Sequence, residues 1–243
     1  MGGLDGKIAL VTGSNRGIGK GIARGLAREG ASVVITARGT EELEQTAAEL
    51  RENGAAILAE AADVADELQV DRLFAAAIDR FGRLDILVNN AGQFGFAPID
   101  ELDLETWNSV IGVNLTAPFL CTRAAMRIMK QQGGGRIINV ASISSQRVRP
   151  SSAAYSASKH GLWGLTQVTA LEGRDHGIAV SCLNPGNTLV ERIERGGGEN
   201  RGEPMMDVDD LAQSAVWMAL LPPHVTMLEA TVLPIQQLFV GRG

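Results

Sequence analysis

Hydrophobic positions along this chain follow two spacings that take turns. Short continuous runs of aliphatic residues alternate with longer stretches whose apolar residues recur every three or four positions. The first run, KIALVT from Lys7 to Thr12, is unbroken and β-branched, and reads as a strand buried on both faces. Gly17 to Arg28 follows with Ile18, Ile22 and Leu26 at helical spacing. Ser32 to Thr36 is a second strand, and Glu41 to Arg51 a charged amphipathic helix with Thr40 as its N-cap. Ala55 to Ala61 is a third strand. Glu67 to Phe81 is a helix with Val70, Leu73, Phe74 and Ile78 on one face. Leu84 to Asn90 is a fourth strand, and a long helix is predicted over Glu105 to Gln131. Then come strand Arg136 to Val140, helix Ser152 to Glu172, strand Ile178 to Leu183 and helix Val208 to Leu220. Glu229 to Ile235 is a candidate seventh strand, whose Pro234 suits a sheet edge or a strand end.

Such alternation predicts an α/β fold: a Rossmann-type, doubly wound, mostly parallel sheet of seven strands with helices on both faces, in one domain spanning residues 1–243. Ligands of these sheets bind at the carboxyl ends of the strands. No internal repeat or linker is visible. One irregular zone, Asn187 to Pro204, is polar, Gly-rich and weakly periodic. A loop of that length in a compact domain is a functional lid or is disordered, and a substrate lid is the expectation.

Composition sharpens this reading. With 45% hydrophobic but only 4% aromatic residues, and 29 glycines, the core must be built from Ala, Val, Ile and Leu between tight turns. A net charge of -6 without a basic tract argues against nucleic-acid binding. Cys121 and Cys182 form no CxxC pair and lie in no His cluster, so free thiols and no metal are expected. The opening MGGLDGKIALVTG lacks the plan of a signal peptide, and no apolar run approaches the roughly 20 residues of a membrane span, so a cytoplasmic protein is expected.

The first strand runs straight into TGSNRGIGKG, with Gly13, Gly17 and Gly19 around Ser14, Asn15, Arg16 and Ile18. A strand, a Gly-rich turn and a helix start make an anion site: the backbone can approach a pyrophosphate, and the helix N-terminus presents free N–H groups. The alternative is a tight turn with no ligand. The second strand ends in ITARG, where NAD-binding folds place an acidic residue on the ribose. Here Thr36 and Ala37 are uncharged and Arg38 follows. With Arg16, it could grip a 2′-phosphate, which favours NADP(H) over NAD(H). The plainer reading of Arg38 is a solvated surface charge.

AAYSASKHG, Ala153 to Gly161, holds the chain's single tyrosine, Tyr155, with Lys159 one helical turn later on the same face. Tyrosine is a weak base at neutral pH, and a nearby ammonium favours its phenolate. Together with TGxxxGxG from Thr12 to Gly19, NNAG from Asn89 to Gly92, Asn114 in VNLTAPF, Ser142 in NVAS and NPG from Asn184 to Gly186, the pair gives the chain a resemblance to the short-chain dehydrogenase/reductase family over nearly its whole length.

That resemblance implies hydride transfer between a nicotinamide cofactor and a carbonyl or secondary alcohol. It implies Tyr155 as general acid/base, Lys159 lowering its pKa and binding the ribose, Ser142 holding the substrate oxygen and Asn114 anchoring a proton relay. It also implies cofactor contacts from Asp63 and Val64 after the third strand, from Asn90, Ala91 and Gly92, and from Pro185 and Gly186. A homo-oligomer, dimer or tetramer, is implied as well. Its surfaces would be the helices Glu105 to Gln131 and Ser152 to Glu172, and the stretch from Glu229 to Gly243. Each residue has a structural alternative: Ser142 and Asp63 as caps, Asn114 as a packed polar residue, and Asn89 and Asn90 as ties between strands.

Two features depart from the family pattern. Val190 stands where the family often has Thr after PG, so Thr188 is the candidate nicotinamide contact. After Ser142 the chain reads SISSQRVRPSS, whose Gln146, Arg147 and Arg149 make the loop polar and basic. An acidic or phosphorylated substrate, or an acyl-carrier partner, would suit it; a solvent-facing or subunit-facing loop is the alternative. Gln93 and Phe94, with Phe96, are the other candidate substrate contacts. His160, His176 and His224 receive no catalytic role.

Overall fold

The computed structural model describes residues 2–52, 54–190 and 202–239. Its helices are α1 (Gly17–Arg28), α2 (Thr40–Glu52), α3 (Glu67–Phe81), α4 (Leu104–Ile111), α5 (Ala117–Gln132), α6 (Ala153–Gly173) and α7 (Val208–Leu220). Its strands are β1 (Ile8–Thr12), β2 (Ser32–Thr36), β3 (Ile57–Ala59), β4 (Ile86–Asn89), β5 (Gly135–Val140), β6 (Ile178–Pro185), β7 (Thr188–Leu189), β8 (Met206–Asp207) and β9 (Glu229–Val232). Seven of the strands form one parallel sheet in the order β3-β2-β1-β4-β5-β6-β9, the Rossmann-type sheet expected. The chain works outward from β1 to β3, then returns to the other side of β1 at β4. The strand order therefore reverses between β1 and β4, and the crevice above that point is where ligands of such sheets bind.

Period-two alternation along each strand divides the core. Ala9, Val11, Val33 and Ile35 face α1 and α7 with Ile22, Leu26, Leu211 and Val216. Leu10, Val34, Leu87 and Ile137 face α3 and α5 with Leu73, Phe74, Met126 and Met129. Cys121 and Cys182 are both buried and unpaired, and burial pushes both thiols up to about 12.

Two polar ties cross this apolar interior. Asn89 and Asn139 are register partners on β4 and β5. Asn89 Nδ2 donates to Asn139 Oδ1 at 2.8 Å and to Thr122 Oγ1 at 3.1 Å, and Asn139 Nδ2 donates to Thr166 Oγ1 at 2.9 Å. The sheet is thereby pinned to α5 and α6, so Asn89 is one of the strand ties foreseen as an alternative. The buried Arg136 guanidinium on β5 donates to the carbonyls of Leu221, Pro222 and Val225, fixing the turn after α7.

Several boundaries differ from expectation. The helix predicted over 105–131 is interrupted by a π-turn, Gly112–Thr116, in which the Ala117 N–H donates to Gly112 O five residues back. Pro118 is the cause: it has no N–H to give the carbonyl of Asn114, so the i→i−4 ladder fails there. β3 is shorter than the run 55–61, as suits a sheet edge with a neighbour on one side only. β9 occupies the other edge and stops at Val232, two residues before Pro234, whose carbonyl accepts the Gln237 N–H in a turn. Of the expected lid at 187–204, residues 191–201 lie outside the described residues. Its two flanks are joined where Thr188 pairs with Met206 and Leu189 with Asp207. No helix among the described residues is long and apolar enough to cross a membrane.

Candidate active site

The glycine turn after β1 is set by close approach. Gly13 and Gly17 have φ of 61° and 55°, a region that side chains other than glycine's rarely adopt. A Cβ on Gly13 would lie 2.8 Å from Ala91 Cα; one on Gly19 would lie 2.3 Å from both Gly13 O and Asn90 Nδ2. Asn90 Nδ2 donates to Thr12 O and Gly13 O, at 2.9 and 3.0 Å, while Thr12 Oγ1 accepts the N–H groups of Asn90 and Ala91. The NNAG segment thus buttresses the turn, with Asn90 acting through its amide as a tie.

Ser14 and Asn15 serve the same end. Ser14 Oγ donates to Val11 O at 2.8 Å and accepts the Thr36 N–H at 3.0 Å. Asn15 Nδ2 donates to Glu42 Oε2, and Asn15 O accepts from Thr46 Oγ1. Both side chains therefore face the protein, which leaves the backbone and the start of α1, with the half-buried Ile18, to face a ligand. The register Thr12↔Thr36 sets the ends of β1 and β2 side by side, and the chain beyond them carries Arg16 and Arg38. Both are exposed, and neither guanidinium has a salt-bridge partner among the described residues. Asp63 caps its own turn, accepting the Ala65 N–H at 3.0 Å, while Val64 packs into the core.

Beyond β5 and at the start of α6 the reactive groups converge. Ser142 Oγ accepts the Ser144 N–H at 3.1 Å, so the residue does cap the short turn Ile143–Ser145. It also lies near enough to the Tyr155 hydroxyl to draw that group's pKa down. Phe94 stacks on the Tyr155 ring with centroids 4.9 Å apart, and Phe96 tilts against it at 6.1 Å. Lys159 is buried; its Nζ donates to Val140 O at 3.0 Å and lies 5.7 Å from the Tyr155 ring centroid. A Cβ on Gly92 would be 3.6 Å from Asn114 Oδ1 and 3.9 Å from Lys159 Nζ, so these groups meet beneath the NNAG segment.

The Asn114 side chain is fully engaged. Its Oδ1 accepts the Gln93 N–H at 2.8 Å, and its Nδ2 donates to Gln93 O and Ser158 Oγ, at 2.9 and 3.1 Å. Ser158 Oγ in turn donates to Tyr155 O at 2.7 Å. Asn114 is thus the packed polar residue foreseen as an alternative, joining the loop after β4 to the helix that carries Tyr155. Pro118, four residues on, has no N–H to give the Asn114 carbonyl.

Burial raises the Tyr155 hydroxyl above its ordinary pKa, and nearby Ser142 and the Arg149 charge only partly offset it. The Lys159 ammonium is held under the ring at Val140 O, and burial brings its own pKa down to about 8.

Other candidates are committed to the protein. Thr188 Oγ1 donates to Gly186 O at 3.2 Å. Gln146 Nε2 donates to Glu229 Oε1, which Asn184 Nδ2 also reaches at 2.7 Å. Gln146 is therefore tied to β9. Gln93 Nε2 donates to Ser109 Oγ at 2.6 Å. The loop at Pro185 and Gly186 has a brace that the sequence did not reveal: Gln237 Oε1 accepts the Asn187 N–H at 2.8 Å, and a Cβ on Gly186 would lie 2.2 Å from it. Among the described residues, no cluster of His, Cys, Asp and Glu could hold a metal ion.

The family model for short chain dehydrogenase matches residues 7–196. A 3-oxoacyl-[acyl-carrier-protein] reductase of Synechocystis sp. is 39% identical over 211 residues, 86% of this chain and 84% of the relative. An actinorhodin polyketide ketoreductase variant solved with NADPH superposes with a TM-score of 0.89 at 32% identity, covering 98% of this chain and all of the other. A metagenomic short-chain oxidoreductase solved with NADP gives a TM-score of 0.85 at 34% identity, covering 96% of this chain and 98% of that one. The sheet order, the glycine turn and the Ser142–Tyr155–Lys159 cluster already pointed the same way, and the chain belongs to the short-chain dehydrogenase family of oxidoreductases.

Proposed function

We propose that the protein is an NADP(H)-dependent reductase or dehydrogenase that interconverts a carbonyl and a secondary alcohol, with NAD(H) the weaker cofactor. One observation carries the reading: Tyr155, with Ser142 beside it and Lys159 under its ring, lies at the same sheet edge as the Gly13–Gly19 turn. The residues fit a dinucleotide, because the Gly13 and Gly19 positions have no room for a side chain and the exposed Arg16 and Arg38 suit a 2′-phosphate. NADP(H) is also the cofactor bound to the two structural neighbours. When bound, the nicotinamide supplies or accepts the hydride.

The chain's own groups handle oxygen and proton. Ser142 and the Tyr155 hydroxyl hold the substrate oxygen, and Tyr155 donates a proton as negative charge develops there. A raised phenol pKa keeps that proton in place at neutral pH, which suits reduction. Lys159 binds the ribose and passes protons toward Tyr155, and the Asn114 carbonyl anchors the relay. Phe94 and Phe96 form an apolar wall over the Tyr155 ring. A homo-oligomer belongs to the same reading: Phe119, Val168 and Leu171 on α5 and α6, and Trp217 on α7, are exposed apolar side chains that a second copy would cover.

The test is consumption of NADPH with a panel of carbonyls by wild type and Tyr155→Phe. Turnover should fall about 10²–10⁴-fold in the variant while NADPH still quenches tryptophan fluorescence. Unchanged turnover removes Tyr155 from the mechanism. Tight NADPH binding with no turnover of any carbonyl or alcohol would make the protein a dinucleotide sensor instead.

A further inference from the structure

We propose that Glu229, at the start of the edge strand β9, is a positioning residue for Ser142, acting through Asn184 and the turn Ile143–Ser145. The inference rests on the reductase reading above and adds to it a carboxylate outside the reacting groups.

Ser142 stands where the sheet lets go of the chain. The last rung between β5 and β6 is the Ala141 N–H donating to Leu183 O at 2.7 Å. Past it the backbone closes on itself: Ser145 N–H donates to Ser142 O at 2.9 Å, and Ser144 N–H donates to Ser142 Oγ at 3.1 Å. The second bond leaves the Ser142 hydroxyl hydrogen to be given to a substrate oxygen. It also makes the direction of that hydroxyl depend on how the turn is held.

A chain of side chains ties the turn to β6 and β9. Ser145 Oγ shares its one hydrogen between Ser142 O at 2.7 Å and Asn184 Oδ1 at 2.8 Å. The Cys182 thiol also approaches Asn184 Oδ1, at 3.6 Å. On its other edge, Asn184 Nδ2 donates to Glu229 Oε1 at 2.7 Å, and Gln146 Nε2, just past the turn, donates to the same oxygen. Ser142, Ser145 and Asn184 are buried, whereas Glu229 closes the chain at the surface.

Glu229 gives this chain its direction. A carboxylate can only accept, so it selects the Nδ2 edge of Asn184 and turns Oδ1 inward, where Ser145 needs an acceptor. The register brings the two together: Glu229 pairs with Cys182, and Asn184 is two residues further along β6, a diagonal neighbour on the same face. Among the described residues no Lys or Arg forms an ion pair with Glu229, so its hydrogen-bond partners there are the two amides. With an aliphatic side chain in its place, the Asn184 amide could turn over, and Ser145 would lose its acceptor on the sheet.

The experiment follows NADPH consumption by the full-length protein with a carbonyl panel headed by ethyl acetoacetate, cyclohexanone and 2,3-butanedione, and continues with the compound that wild type reduces fastest. Ser142→Ala should lower kcat about 10²–10³-fold. Glu229→Leu should lower kcat about 10-fold, with Tm and NADPH affinity, read by tryptophan fluorescence, close to wild type. Glu229→Gln keeps an acceptor oxygen and should recover most of that loss. The double variant Ser142→Ala/Glu229→Leu decides the route: if Glu229 acts through Ser142, it should be no slower than Ser142→Ala alone. A further 10-fold loss in the double variant, an unchanged kcat in Glu229→Leu, or a Glu229→Gln as slow as Glu229→Leu overturns the proposal. So does a Glu229→Leu that loses NADPH binding or unfolds, since the carboxylate would then be holding the fold. All of these leave the reductase reading standing. No turnover of any carbonyl by wild type, with NADPH bound, defeats that reading itself and this one with it.

Discussion

Lys159→Met should make the cofactor-free protein more stable at neutral pH while abolishing turnover. Burial takes the Lys159 pKa from 10.5 to about 8. At about 1.4 kcal/mol per pH unit, that displacement places about 3 kcal/mol of unfavourable free energy on the folded, charged form. Methionine fills similar volume without the charge, and forfeits the hydrogen bond to Val140 O, worth about 1 kcal/mol. The net gain is about 2 kcal/mol, or about 4–8 °C in Tm for a chain of this size. The pH dependence follows from the direction of the shift. Below about 8 the lysine is charged in both folded and unfolded chains, and the penalty is felt in full. Between there and 10.5 the unfolded chain holds the proton that the folded one has lost, so wild-type stability rises with pH and the variant's advantage shrinks away. Urea unfolding at fixed protein concentration, followed by tryptophan fluorescence at pH about 7 and about 10, measures both limits. If Lys159→Met were less stable than wild type by the same amount at both pH values, the ammonium would not be the strained group, and the reasoning would fall.

Two further outcomes follow from the cofactor end of the site. Arg38→Asp should shift the ratio of kcat/KM for NADPH over NADH toward NADH by at least about 10–100-fold, since a charge-assisted phosphate contact is replaced by repulsion; an unmoved ratio frees Arg38 of that role. Gly19→Ala should abolish dinucleotide binding in a fluorescence titration, because its Cβ would lie 2.3 Å from Gly13 O and Asn90 Nδ2, atoms that define the turn; wild-type affinity would show that the turn yields.

What the sequence made legible was whatever depends on neighbours in the chain. β1, β2 and β6 announced themselves because a parallel strand buried on both faces must be continuously aliphatic. Tyr155 and Lys159 were legible because one helical turn fixes their relation. The break at Pro118 was masked by apolar periodicity on either side of it, although the proline itself was the signal. Contacts between distant positions left no trace: Gln146 with Glu229 spans 83 residues and Asn187 with Gln237 spans 50. Ser14 was placed correctly in the turn, but nothing local says which way a small hydroxyl points. Likewise, spacing puts Lys159 near the Tyr155 ring, but the burial that raises the hydroxyl's pKa is set by the fold.

The π-turn at Gly112–Thr116 makes the stretch from Leu104 to Gln132 equivalent to a straight helix with one residue inserted. Removing that residue and replacing Pro118 would restore a continuous hydrogen-bond ladder, the kind of regularisation an engineer would choose for a hardier scaffold. It would also swing whatever lies beyond the repair by about 100° around the helix axis. Asn114 would then turn away from Gln93 and Ser158, and the loop after β4 would lose its hold on the helix that carries Tyr155. The irregular turn is therefore one place in this protein where idealising the backbone and keeping the chemistry are opposed aims.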